Sequence, residues 1–196
     1  GLGYAAADYR ELPGVPGANA RAGKGVVAAL AEVPLVPADE RTGGLILEQF
    51  AVLEGRAEFI AAVEAVDLDA LPIDLAIGEL AAAAARLFVA HGASNIAMLH
   101  AITGTSVLRL LVPYLDVDGQ RAALGYAFQA AAAAHAVTSS APGIPETVTA
   151  GRHTVDQLVG LASRSDDEHR IKLTEACLRE HAIAPRPELL AAASNY

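Results

Sequence analysis

The chain is predicted to be all-α, an alanine-rich multi-helix bundle with orthogonal and antiparallel packing. Three observations predict it. Alanine, the strongest helix former, is by far the commonest residue. Apolar side chains recur at steps of three and four over most of the length, and no pair of segments alternates as paired strands would. With five tyrosines, four phenylalanines and no tryptophan, the core has to be built from small and aliphatic side chains on closely packed helices. The 196 residues suffice for one core, so residues 1–196 read as a single helical domain.

The elements follow in order. A short helix carrying Tyr4 and Tyr9 opens the chain, and the prolines and glycines between Glu11 and Gly25 make a loop. Val26 to Val33 is a short helix stopped by Pro34 and Pro37. Gly44 to Val66 forms one or two helices that break at Gly55. Asp69 fits an N-cap for the next helix, with Pro72 in its first turn. In that helix Ile77, Leu80, Ala84, Leu87 and His91 share one stripe. Beyond Gly92 a new pattern starts at Ser94 and sets Ile96, Leu99, Thr103, Val107, Leu110 and Tyr114 on one face, with His100 beside it and Gly104 as a bend. A turn from Asp116 to Gly119 leads into a long helix, Gln120 to Val137, whose Leu124, Phe128, Ala131 and His135 share a face. Ser139 to Gly151 is irregular. Thr154 with Gln157 and Ser165 with Glu168 have capping-box spacing, so a helix starts at each. A last short helix follows Pro185 and Pro187.

Composition excludes several function classes. A net charge of -9 without a Lys or Arg cluster argues against nucleic acid and anionic membrane surfaces. Arg86, His91 and Arg109 interrupt the apolar runs before any reaches the roughly 18 residues of a membrane span. No secretory pattern is present. The single Cys177 excludes an intrachain disulfide and suits a reducing cytoplasm. A small neutral molecule or another protein is the expected partner.

Among chemistry-bearing residues, histidine stands out, since imidazole is the commonest metal ligand and the usual general base near neutral pH. His91, His100 and His135 lie on or beside apolar stripes of different helices. Each could be a core histidine bonded to a backbone carbonyl; three together also fit a ligand set. His169 and Lys172 are three apart, which puts them on one helical face, and the acids Asp166, Asp167 and Glu168 before them equally fit a solvated, dipole-matched helix start. His153 and His181 have structural explanations beside a cap and a helix end. Lys172 is one of two lysines, with Lys24. Placed toward a helical core, its amine would be desolvated; a neutral amine adds carbon dioxide to give a carbamate, an oxygen ligand. Imidazoles with such an oxygen donor suit ferrous iron and oxygen chemistry. No HExxH, P-loop or dinucleotide fingerprint occurs. Gly23-Lys24-Gly25 lacks the strand context of a phosphate loop, and Ser139-Ser140 is no nucleophile elbow.

Two blocks carry a family resemblance. His100-Ala101-Ile102-Thr103-Gly104, continuing to Leu111, Pro113 and Leu115, resembles the His, apolar, Thr, Gly block of questin oxidase-like proteins. Asp167-Glu168-His169-Arg170-Ile171-Lys172, followed by Glu175-Ala176, is similar to that family's Asp-x-His-x-x-Lys block, and the order of the blocks is the family's. The similarity covers most of the chain and corresponds to the C-terminal half of a full-length member. It implies an oxygen-using enzyme that cleaves rings of aromatic polyketides such as anthraquinones, with a non-heme Fe(II) held in some members by histidines and a carboxylated lysine. By that resemblance His100, His169 and Lys172 are candidate ligands and His91 or His135 completes or flanks the set; Thr103, one turn after His100, is the expected hydrogen bonder behind it. An earlier His-Gly block of the family is missing. With a start that has no Met, this gives the expectation of a fragment or processed half whose site needs a companion N-terminal polypeptide or a homo-oligomer mate. The expected function is an iron-dependent oxygenase, or one half of it. The alternatives are a metal-free Baeyer–Villiger-type oxidase using NADPH and a non-enzymatic helical binding or assembly domain.

Overall fold

A computed structural model describes residues 10–91, 95–149 and 151–196. The expectations that fall on Tyr4, Tyr9, Gly92 and Ser94 lie outside the described residues. The described residues form nine α-helices: α1 (Val26–Ala31), α2 (Ile46–Phe50), α3 (Ala57–Glu64), α4 (Ile73–His91), α5 (Ile96–Leu111), α6 (Val117–Thr138), α7 (Val155–Ala162), α8 (Glu168–Ile183) and α9 (Pro187–Asn195). Single 3-10 turns occupy Ala38–Glu40, Ala51–Leu53 and Val112–Tyr114, and no strand occurs among the described residues. The all-α multi-helix bundle predicted from composition and periodicity is the observed fold.

Local chemistry sets the boundaries. Gly55, at a φ of 72°, separates the turn after α2 from α3 in a conformation that glycine adopts without strain. The Thr154 hydroxyl accepts the Gln157 amide hydrogen bond while the Gln157 side chain accepts from the Thr154 amide, the reciprocal cap expected at α7. Two other caps differ from expectation. The Ala76 amide, in the first turn of α4, bonds the Pro72 carbonyl, while Asp69 pairs with Arg121 instead of capping. At α8 the cap is Asp167, whose carboxylate accepts from the His169 amide at 2.9 Å; Ser165 accepts only from the Asp167 amide. The loop before α1 is held to α6 by Gln129, which donates to the carbonyls of Leu12, Pro13 and Gly14 at 2.8–3.1 Å.

Cross-helix contacts fix the directions of the long helices. Arg109, near the end of α5, bonds the Asp74 carbonyl at the start of α4, so these two helices are antiparallel. Asn95 at the start of α5 bonds Thr138 at the end of α6, so this pair is antiparallel too. Glu79 pairs with Arg186 and Phe88 lies by Tyr196, so α4 and α9 run the same way. Between α5 and α8, His100 meets His169, Ser106 meets Ala176, and Arg109 meets Glu180. Residue numbers rise together along both, so α5 and α8 are parallel and in step.

The core holds Phe59, Phe88 and Phe128 with Leu80, Leu99 and Ile102, all at most 1% exposed. Ala81–Ala85 on α4 and Ala131–Ala134 on α6 are likewise sealed, because their small side chains let helices approach closely. The alanine runs are therefore a closed seam and not the wall of a pocket. At the α5–α8 contact Glu180, 2% exposed, accepts from Arg109 and Ser106. Gly78 makes room for this network, since a Cβ there would stand 3.2 Å from the Arg109 guanidinium.

The face expected for α5 is rotated. Leu99 is buried, but Val107 and Leu110 are exposed, as is Tyr114 in the turn that follows, while Met98, Ile102, Thr105 and Ser106 point inward. The helix runs through Gly104 without interruption. Ile96–Tyr114 is long and apolar enough to cross a membrane by length and composition, with a mean hydropathy of 1.5, and 44% of it is buried inside the protein.

Candidate functional site

Parallel packing of α5 and α8 brings their N-terminal ends together. The antiparallel contacts put the C-terminal ends of α4, α6 and α9 at that same end of the bundle. His91, His100, His135, His169 and Lys172 all lie there, in two clusters that come from different helix pairs.

The first cluster joins α5 and α8. The His100 and His169 rings have centroids 5.5 Å apart and an interplanar angle of 74°, edge against face. His100 is exposed, yet its pKa is lowered, first by partial burial between the helices and then by the electrostatic influence of the neighbouring His169 and Lys172; Glu168 acts in the opposite sense. The lowered value keeps the ring neutral, with a free lone pair, at neutral pH. Lys172 does not point into the core as the carbamate argument expects. Its side chain is 51% exposed and its Nζ sits 3.1 Å from Glu168 one turn earlier. Thr103 follows His100 by one turn of α5 and is half-buried.

His169 is braced from behind. The Asp167 carboxylate caps α8 through the His169 amide, lies 3.4 Å from the His169 Nδ1, and accepts from the Tyr196 hydroxyl at 2.9 Å. The Tyr196 bond, followed by the His169 amide, holds the Asp167 carboxyl below its ordinary value. Arg170 fixes Tyr196 in turn by bonding its carbonyl and stacking over its ring. Asp167 was legible as an acid two residues before His169; Tyr196 was not, because only the α8–α9 packing brings it close.

The second cluster joins α4 and α6. His91 Nδ1 lies 3.0 Å from the Ser140 hydroxyl and accepts from the Ser140 amide, while His135 Nδ1 lies 2.6 Å from the Ser139 hydroxyl. His135 is fully buried, and burial pushes its pKa down to about 4, with further lowering by His91 and Arg41. His91 is lowered by burial and then by Arg41. The charges that act on His135 come from its own cluster, and no contact among the described residues joins either of these imidazoles to His100 or His169. Sequence periodicity gave no sign of Arg41, which reaches this cluster from the segment before α2.

Among the described residues no group of three or more His, Cys, Asp or Glu is placed to hold a metal ion. What the first cluster offers is two imidazoles from separate helices with an amine beside them. Of the other singled-out residues, His153 is half-buried and its Nδ1 has no hydrogen-bond partner among the described residues, whereas the rest have structural partners. His181 Nδ1 accepts from the Arg186 amide at the α8–α9 turn. Cys177 is buried and its thiol is pushed up to about 12 by burial, so it is no nucleophile. Gly23-Lys24-Gly25 is occupied by its own acids: the Gly23 amide bonds Asp67 and the Lys24 amine pairs with Glu32. An open groove of about 570 Å³ runs between α7 and α8 beside Val159, Ile171 and Leu178. Compared with protein-family models, with curated proteins and with solved structures, the chain finds no match in any of the three.

Proposed function

We propose that the protein is an iron-dependent, non-heme oxygenase, or one half of one, that oxidises and cleaves an aromatic polyketide such as an anthraquinone, with His100 and His169 as metal ligands. The observation that carries this reading is the paired imidazoles. Two imidazoles bound at about 2.1 Å to adjacent positions of one ion hold their ring centres roughly 5 Å apart, and these rings are 5.5 Å apart before any ion is considered. The donors suit the metal: a neutral His100 presents a lone pair at neutral pH, and Asp167 braced by Tyr196 holds His169 from its Nδ1 side, leaving Nε2 as the ligand atom. Lys172 would add an oxygen donor once its amine leaves Glu168 and takes up carbon dioxide. When bound, Fe(II) supplies Lewis acidity and oxygen activation.

Two imidazoles and one carbamate would make three protein donors, the number that a two-histidine, one-carboxylate ferrous site uses while keeping positions open for oxygen; the case for a companion polypeptide rests on the missing His-Gly block alone. The resemblance of His100–Leu111 and Asp167–Ala176 to the questin oxidase-like blocks supports the reading independently of the geometry. A second reading, a helical binding or assembly domain without metal, is favoured by the exposed Lys172–Glu168 pair, an ordinary surface arrangement.

The Lys172 position separates the two. Under the oxygenase reading Lys172→Arg abolishes dioxygen consumption with a hydroxyanthraquinone, because arginine cannot deprotonate, while Lys172→Glu retains part of it. Full turnover in Lys172→Arg would assign the residue to the solvated surface.

A further inference from the structure

We propose that a second copy of this chain packs antiparallel across the exposed face of α5, about a two-fold axis through Thr103 and Gly104, and covers His100. The starting observation is an uncovered apolar strip. Gly104, Val107, Leu110 and Leu111 face solvent along α5, with Leu110 56% and Leu111 49% exposed, and Tyr114 extends the strip at 85%. A helix face this apolar is ordinarily covered.

Charge identifies the occupant. Alongside the strip, α8 presents Glu168, Lys172, Glu175 and Arg179, whose spacing of four, three and four puts them on one stripe. That stripe lies on the α5 side, since Arg179 bonds Ser106 and both Lys172 and Glu168 act on His100. Read in the reverse direction, the order minus, plus, minus, plus becomes its own complement. Glu168 then faces Arg179 of the second copy, and Lys172 faces Glu175. Self-complementarity of this kind is what a two-fold interface requires, and the four charges, which within one copy pair as Lys172 with Glu168 and Arg179 with Glu175, can exchange these partners for those of the second copy.

The register agrees. The midpoint of the charge ladder lies between Leu173 and Thr174. His100 pairs with His169 and Ser106 with Ala176, so that level on α8 corresponds to Thr103 and Gly104 on α5. The axis therefore falls on the smallest residue of the strip, where a Cβ would meet nothing within 4 Å and two helices can approach closely. In this register Val107 of each copy lies over His100 of the other. Leu111 comes level with Ile96, which lines a groove of about 710 Å³ with Leu45 and Leu47. The second copy thus supplies an apolar wall to the imidazole site. The pairing itself does not depend on a metal.

Sedimentation equilibrium on metal-free protein tests this. The expected mass is twice the 20.1 kDa of the chain. Gly104→Arg, with room for its side chain within one copy, should keep its helical circular dichroism and become monomeric. Glu175→Lys should weaken self-association by about tenfold or more, and Glu175→Lys combined with Lys172→Glu should restore it, because the ladder is complementary again. A wild-type monomer throughout the micromolar range overturns the proposal, as does a dimer whose stability ignores Gly104→Arg. A monomer that instead sediments with neutral phosphatidylcholine vesicles also overturns it and assigns the strip to a lipid surface.

Discussion

His135 shows how one residue couples this bundle to pH. It is fully buried, its Nδ1 is engaged by Ser139, and its Nε2 has no partner among the described residues. Burial pushes its pKa down to about 4, below the roughly 6.5 of an unfolded chain. The unfolded state therefore takes up the proton first. The stabilising contribution is full above about pH 6.5 and is lost as pH falls toward 4, amounting to about 2 kcal/mol by pH 5. Urea unfolding of wild type at pH 7 and pH 5 should show that loss, and His135→Gln should show much less of it. An unchanged loss in His135→Gln would assign the acid sensitivity to other groups. The burial of His135 was legible from its four-residue step after Ala131. The meeting of His100 and His169 was not, because periodicity tells which side of a helix is buried and never which helix lies opposite.

Among elements, the α5–α8 pair carries the most consequential contact. Glu180 is almost wholly buried and holds Arg109 with a pair of hydrogen bonds, while Ser106 donates to the same carboxylate. Removing the carboxylate leaves a guanidinium without its main counter-charge, so Glu180→Ala should cost roughly 3–5 kcal/mol in denaturant unfolding. Thr154→Ala, which removes only a helix cap, should cost about 1 kcal/mol. A Glu180→Ala cost as small as that of the cap would show the network to be incidental. The same contact explains the misread face of α5. Both sides of that helix are apolar, so steps of three and four fit either side equally well. What turns Ser106 inward is α8 with its buried acid, which lies some seventy residues later in sequence, while the hydroxyl of neighbouring Thr105 is buried without a partner among the described residues. The caps show the same division: Thr154 was readable because its partner is three residues away, whereas Asp69 was claimed by Arg121 from a distant helix.

For the whole molecule, fold class followed from composition and period, while the parallel running of α5 and α8 had no local signal. Yet that topology assembles the candidate site, because it brings two helix starts together and lets one histidine from each meet. It also leaves α5 with an outer face that a second copy of the chain can cover. The central claim is that the His100–His169 pair is a metal site, and anaerobic titration with Fe(II), followed by equilibrium dialysis, tests it most directly. Wild type should retain close to one equivalent per site, and His100→Ala and His169→Ala should each lose it while staying folded. Stoichiometric iron retained by the His100→Ala, His169→Ala double variant, or none retained by wild type, would contradict the account.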